Sequence, residues 1–217
     1  MRVYYLTQAQ HGLSNIALHR LKISRYSSLN DPFEFLAVDL SDKRHREAFR
    51  KTKEEVNKDN GLICFARKWS NPLMWGHYAN GHTGIALGFD IKDEFLTPVI
   101  YAKTPMKIRV NPKTGRPILT QDIMDKLIRT KFHDWKYEDE LRLFVKLDHS
   151  TVESGMYFKP FDSDLILREV ILGPRCELPI ASIRSMIGSF SPSVKVVKSR
   201  IAFSSFRVIR NIVATRT

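Results

Sequence analysis

The segment from Trp135 to Val145, WKYEDELRLFV, constrains the fold most because it alternates charged and apolar side chains. Successive side chains of a β-strand point to opposite faces, so Glu138, Glu140 and Arg142 would share one face. The opposite face is apolar and suits a core; its side chains are Leu141, Leu143 and Val145. The segment therefore predicts one strand with a buried face and a charged face.

Two explanations of the charged face remain open. An edge strand can turn such a face to water, with Arg142 neutralising a glutamate. Alternatively, Trp135, Tyr137 and Phe144 surround the charges, so that the face lines a cleft. Carboxylates beside an arginine can act in acid–base catalysis, bond sugar hydroxyls or hold a divalent cation. On the cleft interpretation, the catalytic residues are Glu138, Glu140 and Arg142.

The remaining apolar residues follow helical or strand spacing along the whole chain. Helical segments are predicted after residue 8, between 42 and 60, between 120 and 133 and near 179–187. Strands are predicted for VYYL, LKIS, GLICFA, IALGFDI, PVIYAK, REVILGP, VKVVKS and FRVIRNIV. No repeat or linker divides the sequence. We expect residues 1–217 to form a single α+β domain with a mixed or mainly antiparallel twisted sheet flanked by helices.

Two further segments combine turn residues with groups that bind ligands. In SSLNDPFEF, Asn30 and Asp31 are strong turn residues whose side chains bond their own backbone, which is a sufficient structural reason for them. Alternatively, Asn30, Asp31 and Glu34 face a binding site at the end of a strand.

The second segment, MWGHYANGHTG, concentrates aromatic side chains and glycines, which suits a wall for a planar ligand. The residues assigned to this wall are Trp75, His77, Tyr78 and His82. Alternatively, the two histidines are structural. Their spacing fits no standard helical metal pair, so we expect no metal site.

The charge is strongly basic, at +12, and is concentrated near the end of the chain. No acid occurs between Lys195 and Thr217, and a basic surface of this kind attracts nucleic acid. The residues that we assign to it are Lys195, Lys198, Arg200, Arg207 and Arg210.

The cysteines and the lack of a long apolar stretch indicate the cellular compartment of the protein. Cys64 and Cys176 lie in hydrophobic stretches without a C-x-x-C partner and are interpreted as buried small side chains. The N-terminal sequence does not resemble a signal peptide, and no stretch is apolar enough to span a bilayer. We expect a cytoplasmic protein without a membrane partner.

The segments VYYLT, LKISRYSSLNDPFE, ICFARKWSNPLMWGHYANGHTGIALGFD, WKYEDELR and REVILGP resemble, in order and spacing, the bacterial family catalogued as domain of unknown function 2971. The arrangement is more distantly similar to the compact ADP-ribosyltransferase fold. That similarity implies NAD as a substrate, with Tyr4 or Tyr5 of the first strand at its nicotinamide end. It also implies that Glu140 or Glu138 bonds a ribose hydroxyl as nicotinamide leaves. Many family members have histidine where this chain has tyrosine, and the serine-threonine-serine signature of one transferase class is missing.

Three functions follow as hypotheses. The first is an NAD-dependent ADP-ribosyltransferase-like enzyme that modifies nucleic acid or protein, as a phage-defence or toxin effector with an unidentified partner or antitoxin. The second is a non-enzymatic basic module that binds nucleic acid or a partner protein. The third is a magnesium-dependent nuclease using Asp31 and Glu140, although Arg142 substitutes poorly for the usual lysine.

Overall fold

The computed structural model describes residues 1–188 and 193–213. Its α-helices are α1 (Ala9–Ala17), α2 (Lys43–Asp59), α3 (Pro72–Tyr78), α4 (Gln121–Leu127) and α5 (Ile180–Gly188). Its strands are β1 (Arg2–Thr7), β2 (Arg20–Ile23), β3 (Asn60–Ala66), β4 (Ile85–Asp90), β5 (Leu96–Pro98), β6 (Ile100–Ala102), β7 (Thr130–Phe132), β8 (Glu140–Lys146), β9 (Tyr157–Pro160), β10 (Ile166–Leu172), β11 (Lys195–Ile201) and β12 (Val208–Arg210).

The main sheet of the described residues has eight strands in the order β12-β11-β10-β4-β1-β3-β8-β5. Its neighbouring strands are antiparallel except for β10 and β11, which are parallel. Two small sheets pair β2 with β9 and β6 with β7. The predicted α+β fold with a mainly antiparallel sheet flanked by helices is therefore confirmed.

Both faces of the main sheet are covered, which explains why its central strands have few exposed residues. On one face α1 and α5 pack through Ile16, Ile183 and Ile187 against the largest apolar cluster. On the other face α3 inserts Trp75 among side chains of four strands, namely Leu6, Ala66, Ala86 and Ile171. A polar side chain on this second face must therefore find its partners inside the protein.

The prediction of a single strand from Trp135 to Val145 is wrong for the first half of this segment. Residues His133–Glu138 form a short 3-10 helix, and β8 begins at Glu140. Between them Asp139 has a φ of 47°, a left-handed conformation that aspartate tolerates better than most residues. Its carbonyl accepts a hydrogen bond of 3.1 Å from the Arg67 backbone. Glu138 is consequently not on the strand, and backbone alternation does not determine where it points.

The helix predicted from residue 120 to 133 also ends early. It stops at Leu127, where the Thr130 hydroxyl donates a hydrogen bond of 2.6 Å to the Lys126 carbonyl. Thr130 then begins β7, which pairs with β6 from Ile100 onward. The early end matters because it places Lys131 on a strand whose side chains reach the second face of the sheet.

The sheet contains a gap between β1 and β3. The ladder of these two strands consists of the pair Tyr4–Ala66. Further along β3, Leu62 instead exchanges backbone hydrogen bonds of 2.8 and 2.9 Å with Ser24, which follows β2. Alternation along β3 directs the N–H and C=O of Cys64 to the same side as those of Leu62. The gap is thus bordered by backbone groups as well as side chains.

Gly84, just before β4, lies close to the ends of α3 and β1, and this contact generates a first prediction. A Cβ at Gly84 would lie 2.2 Å from the Thr7 carbonyl oxygen and 2.9 Å from the backbone of Ala79. We expect Gly84→Ala to lower the free energy of unfolding by about 1–3 kcal/mol. The matched control is Gly76→Ala within α3, where a Cβ has no atom within 4 Å and where alanine favours the helix by about 0.5–1 kcal/mol. Urea denaturation checks both, and equal effects would show that the approach is not as close as described.

Candidate functional site

Five charged side chains form a buried cluster on the second face of the sheet. They are at most 5% exposed and comprise Glu34, Lys131, Glu138, Glu140 and Arg142. The charged face of β8 therefore does not turn to water, and the interpretation of an exposed edge strand is wrong. Burial of so many charges is costly unless each one is paired, so the contacts of the cluster must satisfy them.

Arg142 is the centre of the cluster and is fully buried. Its Nε donates to Glu140 Oε1 at 2.8 Å, and its Nη2 donates to Glu34 Oε1 at 2.6 Å. Its Nη1 donates to the Ile128 carbonyl at 2.7 Å, just beyond the end of α4. The guanidinium thus joins β8, the turn after residue 30 and the segment that leads to Lys131.

Lys131 is the second cation of the cluster. Its Nζ lies 2.6 Å from Glu138 Oε2, 3.2 Å from Glu140 Oε2 and 3.8 Å from Glu34 Oε1. It also lies 4.8 Å from the centroid of the Trp135 ring, within the range of a cation–π contact. These carboxylates keep Lys131 protonated, because they raise its pKa although burial alone would lower it.

The cluster contains three carboxyl groups and two cations, so two carboxylates can be neutralised by pairing. Burial raises the pKa of Glu138 to about 7, although Lys131 and Tyr78 oppose the rise. Burial would also raise the pKa of Glu140, but Arg142 and Lys131 outweigh it and hold that pKa at about 2. Glu138 and Glu140 therefore differ in protonation near neutral pH, a difference that proteins use to give two carboxyls different roles.

Two polar side chains outside the cluster orient Glu138. The Tyr78 hydroxyl, at the end of α3, donates to Glu138 Oε1. Asn30 Nδ2 donates in turn to the Tyr78 oxygen at 2.6 Å. Burial and the neighbouring Glu138 raise the pKa of Tyr78, so its hydroxyl stays neutral and remains a donor. The chain from Asn30 through Tyr78 to Glu138 fixes the carboxyl from the side opposite Lys131.

A cavity of about 220 Å³ opens at the gap between β1 and β3. Its walls combine aromatic, apolar and charged side chains, and Glu138, Glu140 and Lys131 lie at one side. The lining residues of β1 and β3 are Tyr4, Tyr5, Leu6, Ile63, Cys64, Phe65 and Ala66, and the others include Lys22, Ser24, Asn30, Glu34, Met74 and Tyr78. The buried cluster thus has access to a space that a ligand can enter.

Most of the residues predicted for the site meet at this cavity. Its lining includes Tyr4, Tyr5, Asn30, Glu34, Tyr78, Glu138 and Glu140, and Arg142 lies behind them in contact with Glu140. Asp31 is buried next to this group but bonds its own turn, since its Oδ1 accepts from the Phe33 backbone at 2.9 Å. The turn explanation therefore accounts for the Asp31 contact described in the structure.

The other members of the predicted aromatic wall lie elsewhere. Trp75 is fully buried in the core, and its Nε1 donates to the Trp69 carbonyl at 2.6 Å. His77 stacks on Tyr137 at 5.9 Å between ring centroids. His82 occupies a turn with a φ of 74°, and its backbone N–H bonds the Trp75 carbonyl. From this segment the cavity receives Tyr78 and Met74 instead.

Three residues near the cluster were not among the predicted site residues. Lys131 fell within a segment expected to be helical, so nothing in the sequence indicated that it reaches Glu138. Tyr101 accepts a hydrogen bond of 2.8 Å from the Glu140 backbone through its hydroxyl. Cys64, interpreted as a buried apolar side chain, is half-buried at the cavity, where its thiol is a further donor to Glu140. Burial raises the pKa of that thiol, which keeps it protonated.

Two other kinds of site are absent from residues 1–188 and 193–213. No group of three histidine, cysteine, aspartate or glutamate side chains has an arrangement that could hold a metal ion. No helix in this part of the chain is long and apolar enough to cross a membrane.

Comparison with known families finds a match that covers four of the five residues of the cluster, all except Glu34. Residues 74–143 match the family described as Protein of unknown function (DUF2971). The chain resembles this family. The matched segment runs from α3 into β8 and so includes Tyr78, Lys131, Glu138, Glu140 and Arg142. No curated protein and no solved structure matched the chain, so the similarity to the ADP-ribosyltransferase fold stays a prediction.

The raised pKa of Glu138 generates a second prediction. Its folded-state pKa of about 7 lies above the value of about 4.3 expected for an unfolded chain, so the protonated carboxyl is the stabilising form. Stability from this group is complete below the unfolded pKa and is lost as pH rises through about 7.

We expect Glu138→Gln to remove this loss, because the amide is neutral and its oxygen can still accept from Tyr78. Relative to the variant, the wild type should lose about 3 kcal/mol of unfolding free energy between pH 4 and pH 8. Urea titrations across this range measure the difference. Glu55→Gln, an exposed change on α2, is the control. Parallel pH curves for wild type and Glu138→Gln would contradict the assignment.

Proposed function

We propose that the protein is an NAD-dependent ADP-ribosyltransferase-like enzyme that modifies a macromolecular acceptor. The observation that carries the proposal is the cavity between β1 and β3, whose lining includes Tyr4 and Tyr5 of the first strand together with Glu138 and Glu140. Aromatic faces suit the nicotinamide ring, and carboxylates suit the ribose hydroxyls beside it.

The size and lining of the cavity favour binding of one end of the dinucleotide. At about 220 Å³ it is smaller than the roughly 300–1,000 Å³ of pockets that enclose drug-sized ligands. A ring and its attached sugar fill such a space, and the rest of NAD extends outside. The N–H and C=O of Cys64 border the gap and match the acceptor and donor of a carboxamide.

The two glutamates take different roles in the proposed reaction. Glu140 stays ionised because of Arg142 and Lys131, so its negative charge can stabilise positive charge that develops on the ribose. The bond between ribose C1′ and the nicotinamide nitrogen breaks, and nicotinamide leaves with the electron pair. A hydroxyl or amine of the acceptor forms the new bond to C1′ and gives up its proton.

Glu138 is the group that receives this proton. With a pKa of about 7 it is partly deprotonated at neutral pH, which is the range in which a general base is most effective. Tyr78 and Lys131 hold it in place from two sides. These contacts assign Tyr78, Asn30 and Lys131 as positioning residues.

The nuclease alternative is less well supported by the contacts of the carboxylates. A divalent cation needs carboxylate oxygens as ligands, but those of Glu140 bond Arg142 and Lys131. Asp31, the other proposed ligand, bonds its own turn. Magnesium would therefore have to displace two cations that are themselves buried.

The proposed setting is the cytoplasm, with a role as a phage-defence or toxin effector. Cys64 and Cys176 are both free thiols, which suits a reducing compartment. A macromolecular acceptor fits a cavity that encloses one end of the donor and leaves the other side accessible.

Nicotinamide release from NAD tests the proposal. We expect Glu140→Gln to lower kcat by at least about 100-fold, the order contributed by one electrostatic group in an active site. Glu138→Gln should lower kcat by about 100-fold or more and abolish the rise in rate around pH 7. Glu55→Gln is the matched control and should retain the wild-type rate.

Because Glu140→Gln removes a partner of Arg142, Tyr78→Phe provides a second test with less effect on the cluster. It removes one hydrogen bond that lowers the pKa of Glu138, so the apparent pKa of the rate profile should rise. NAD should still stabilise this variant against thermal unfolding. Saturating NAD at a hundredfold excess over Kd should add about 2.7 kcal/mol of stability. No stabilisation by NAD, or a magnesium-dependent cleavage of nucleic acid without NAD, would overturn the proposal.

A further inference from the structure

A second concave surface lies beside the cavity, between β12 and the segment that follows β3. The two segments are joined where the Val208 backbone donates to the Ser70 carbonyl at 2.9 Å. A groove of about 530 Å³ runs along this junction. We call it the basic groove; it is lined by Tyr4, Arg67, Lys68, Trp69, Ser70, Arg207, Val208, Ile209 and Arg210.

The basic groove carries an excess of positive charge. Arg67 pairs with Asp139 at 3.2 Å, and Arg210 pairs with the buried Glu169. Lys68 and Arg207 are exposed, and the Arg207 guanidinium donates to the Ser70 hydroxyl at 3.3 Å. Four cations therefore face two acids, so the groove attracts an anion of extended shape.

Aromatic side chains accompany these cations. Trp69 lies half-buried in the groove against Trp75, at 6.4 Å between ring centroids. At the tip of the β11–β12 hairpin, Phe203 and Phe206 are 91% and 96% exposed. Arg200 covers one face of Phe203 at 4.6 Å. Exposed aromatic rings next to a basic groove provide faces on which unpaired bases stack.

We propose that the basic groove and the tip of the β11–β12 hairpin bind single-stranded nucleic acid. Lys68 and Arg207 contact phosphates, and Phe206 stacks on a base next to them. Single strands fit better than duplexes because their bases are free to stack on protein rings. Charge complementarity and the concave shape favour a polyanion in the groove over a flat lipid surface.

The position of Tyr4 relates this surface to the cavity. Tyr4 lines both the cavity and the basic groove. A nucleic-acid strand bound in the groove therefore contacts a residue that also lines the cavity. In this respect the inference rests on the proposed function, since it makes single-stranded nucleic acid the acceptor, but binding itself does not require NAD.

The structure divides the basic residues that the sequence assigned to one surface. Arg207 and Arg210 line the groove, whereas Lys198 donates to the Gly173 carbonyl at 2.8 Å and to that of Cys176. Arg200 pairs with Ile209, one position from Arg210 along the ladder, so it points to the other face. Lys195 is exposed outside the groove lining. The remaining cation of the acid-free segment, Arg216, lies outside the described residues.

Fluorescence anisotropy with a labelled oligonucleotide of about sixteen nucleotides tests the inference, since this length covers sites of roughly 4–16 nucleotides. The full chain is titrated without NAD over a range of salt concentrations. Loss of two phosphate contacts in the double variant Lys68→Gln/Arg207→Gln should reduce the slope of log K against log salt by about 1.4. Its affinity should fall at least tenfold, and Phe206→Ala should weaken binding about tenfold without changing the slope.

The matched control is the double variant Arg109→Gln/Lys113→Gln, which removes the same charge from two exposed positions between β6 and α4. It should leave affinity and slope unchanged. An equal loss in this control, absence of oligonucleotide binding, or Phe206-dependent binding to anionic vesicles but not to the oligonucleotide would overturn the inference. Oligonucleotide binding without nicotinamide release would overturn only the proposed enzyme, and release without oligonucleotide binding would overturn only this inference.

Discussion

The ion pairs of Arg142 are the contacts on which the rest of the site depends. A guanidinium cannot lose its proton and is costly to bury, so every neighbouring segment must present an acceptor to it. Glu140 provides one from the same strand, Glu34 one from a turn more than a hundred residues away, and Ile128 one from the end of α4. The requirement to satisfy this single group thus brings three distant parts of the chain to one face of the sheet.

The same ion pairs leave the cluster with one more carboxyl group than it has cations. Lys131 and Arg142 neutralise two carboxylates, and the third carboxyl is left to hold a proton near neutral pH. Glu138 holds it because burial raises its pKa more than Lys131 and Tyr78 lower it. A purely structural ion network would need neither the imbalance of charge nor an adjacent cavity.

The sequence predicted the architecture and much of the site because both depend on local patterns. Alternation in β8 revealed that Glu140 and Arg142 share a face, and the Asn30 to Glu34 turn and Tyr78 were assigned to the site from residue type alone. Lys131 was missed because α4 ends at Leu127 and the chain continues as a strand from Thr130, a change that no periodicity in the sequence reveals. Trp75 and His77 were misplaced because the short helix α3 directs its aromatic side chains differently. Trp75 points to the core, Tyr78 to the cavity and His77 to the surface. The rotation of the helix about its axis, which sets these directions, depends on packing.

The split between β1 and β3 has a consequence for how ligands at the two surfaces affect one another. Tyr4 forms the last pair before the strands separate, and it lines both the cavity and the basic groove. An occupant of either space that changes the position of Tyr4 would change the free energy of binding at the other. Thermodynamic linkage requires the effect to be equal in both directions, so donor and polymer would report on each other through one side chain.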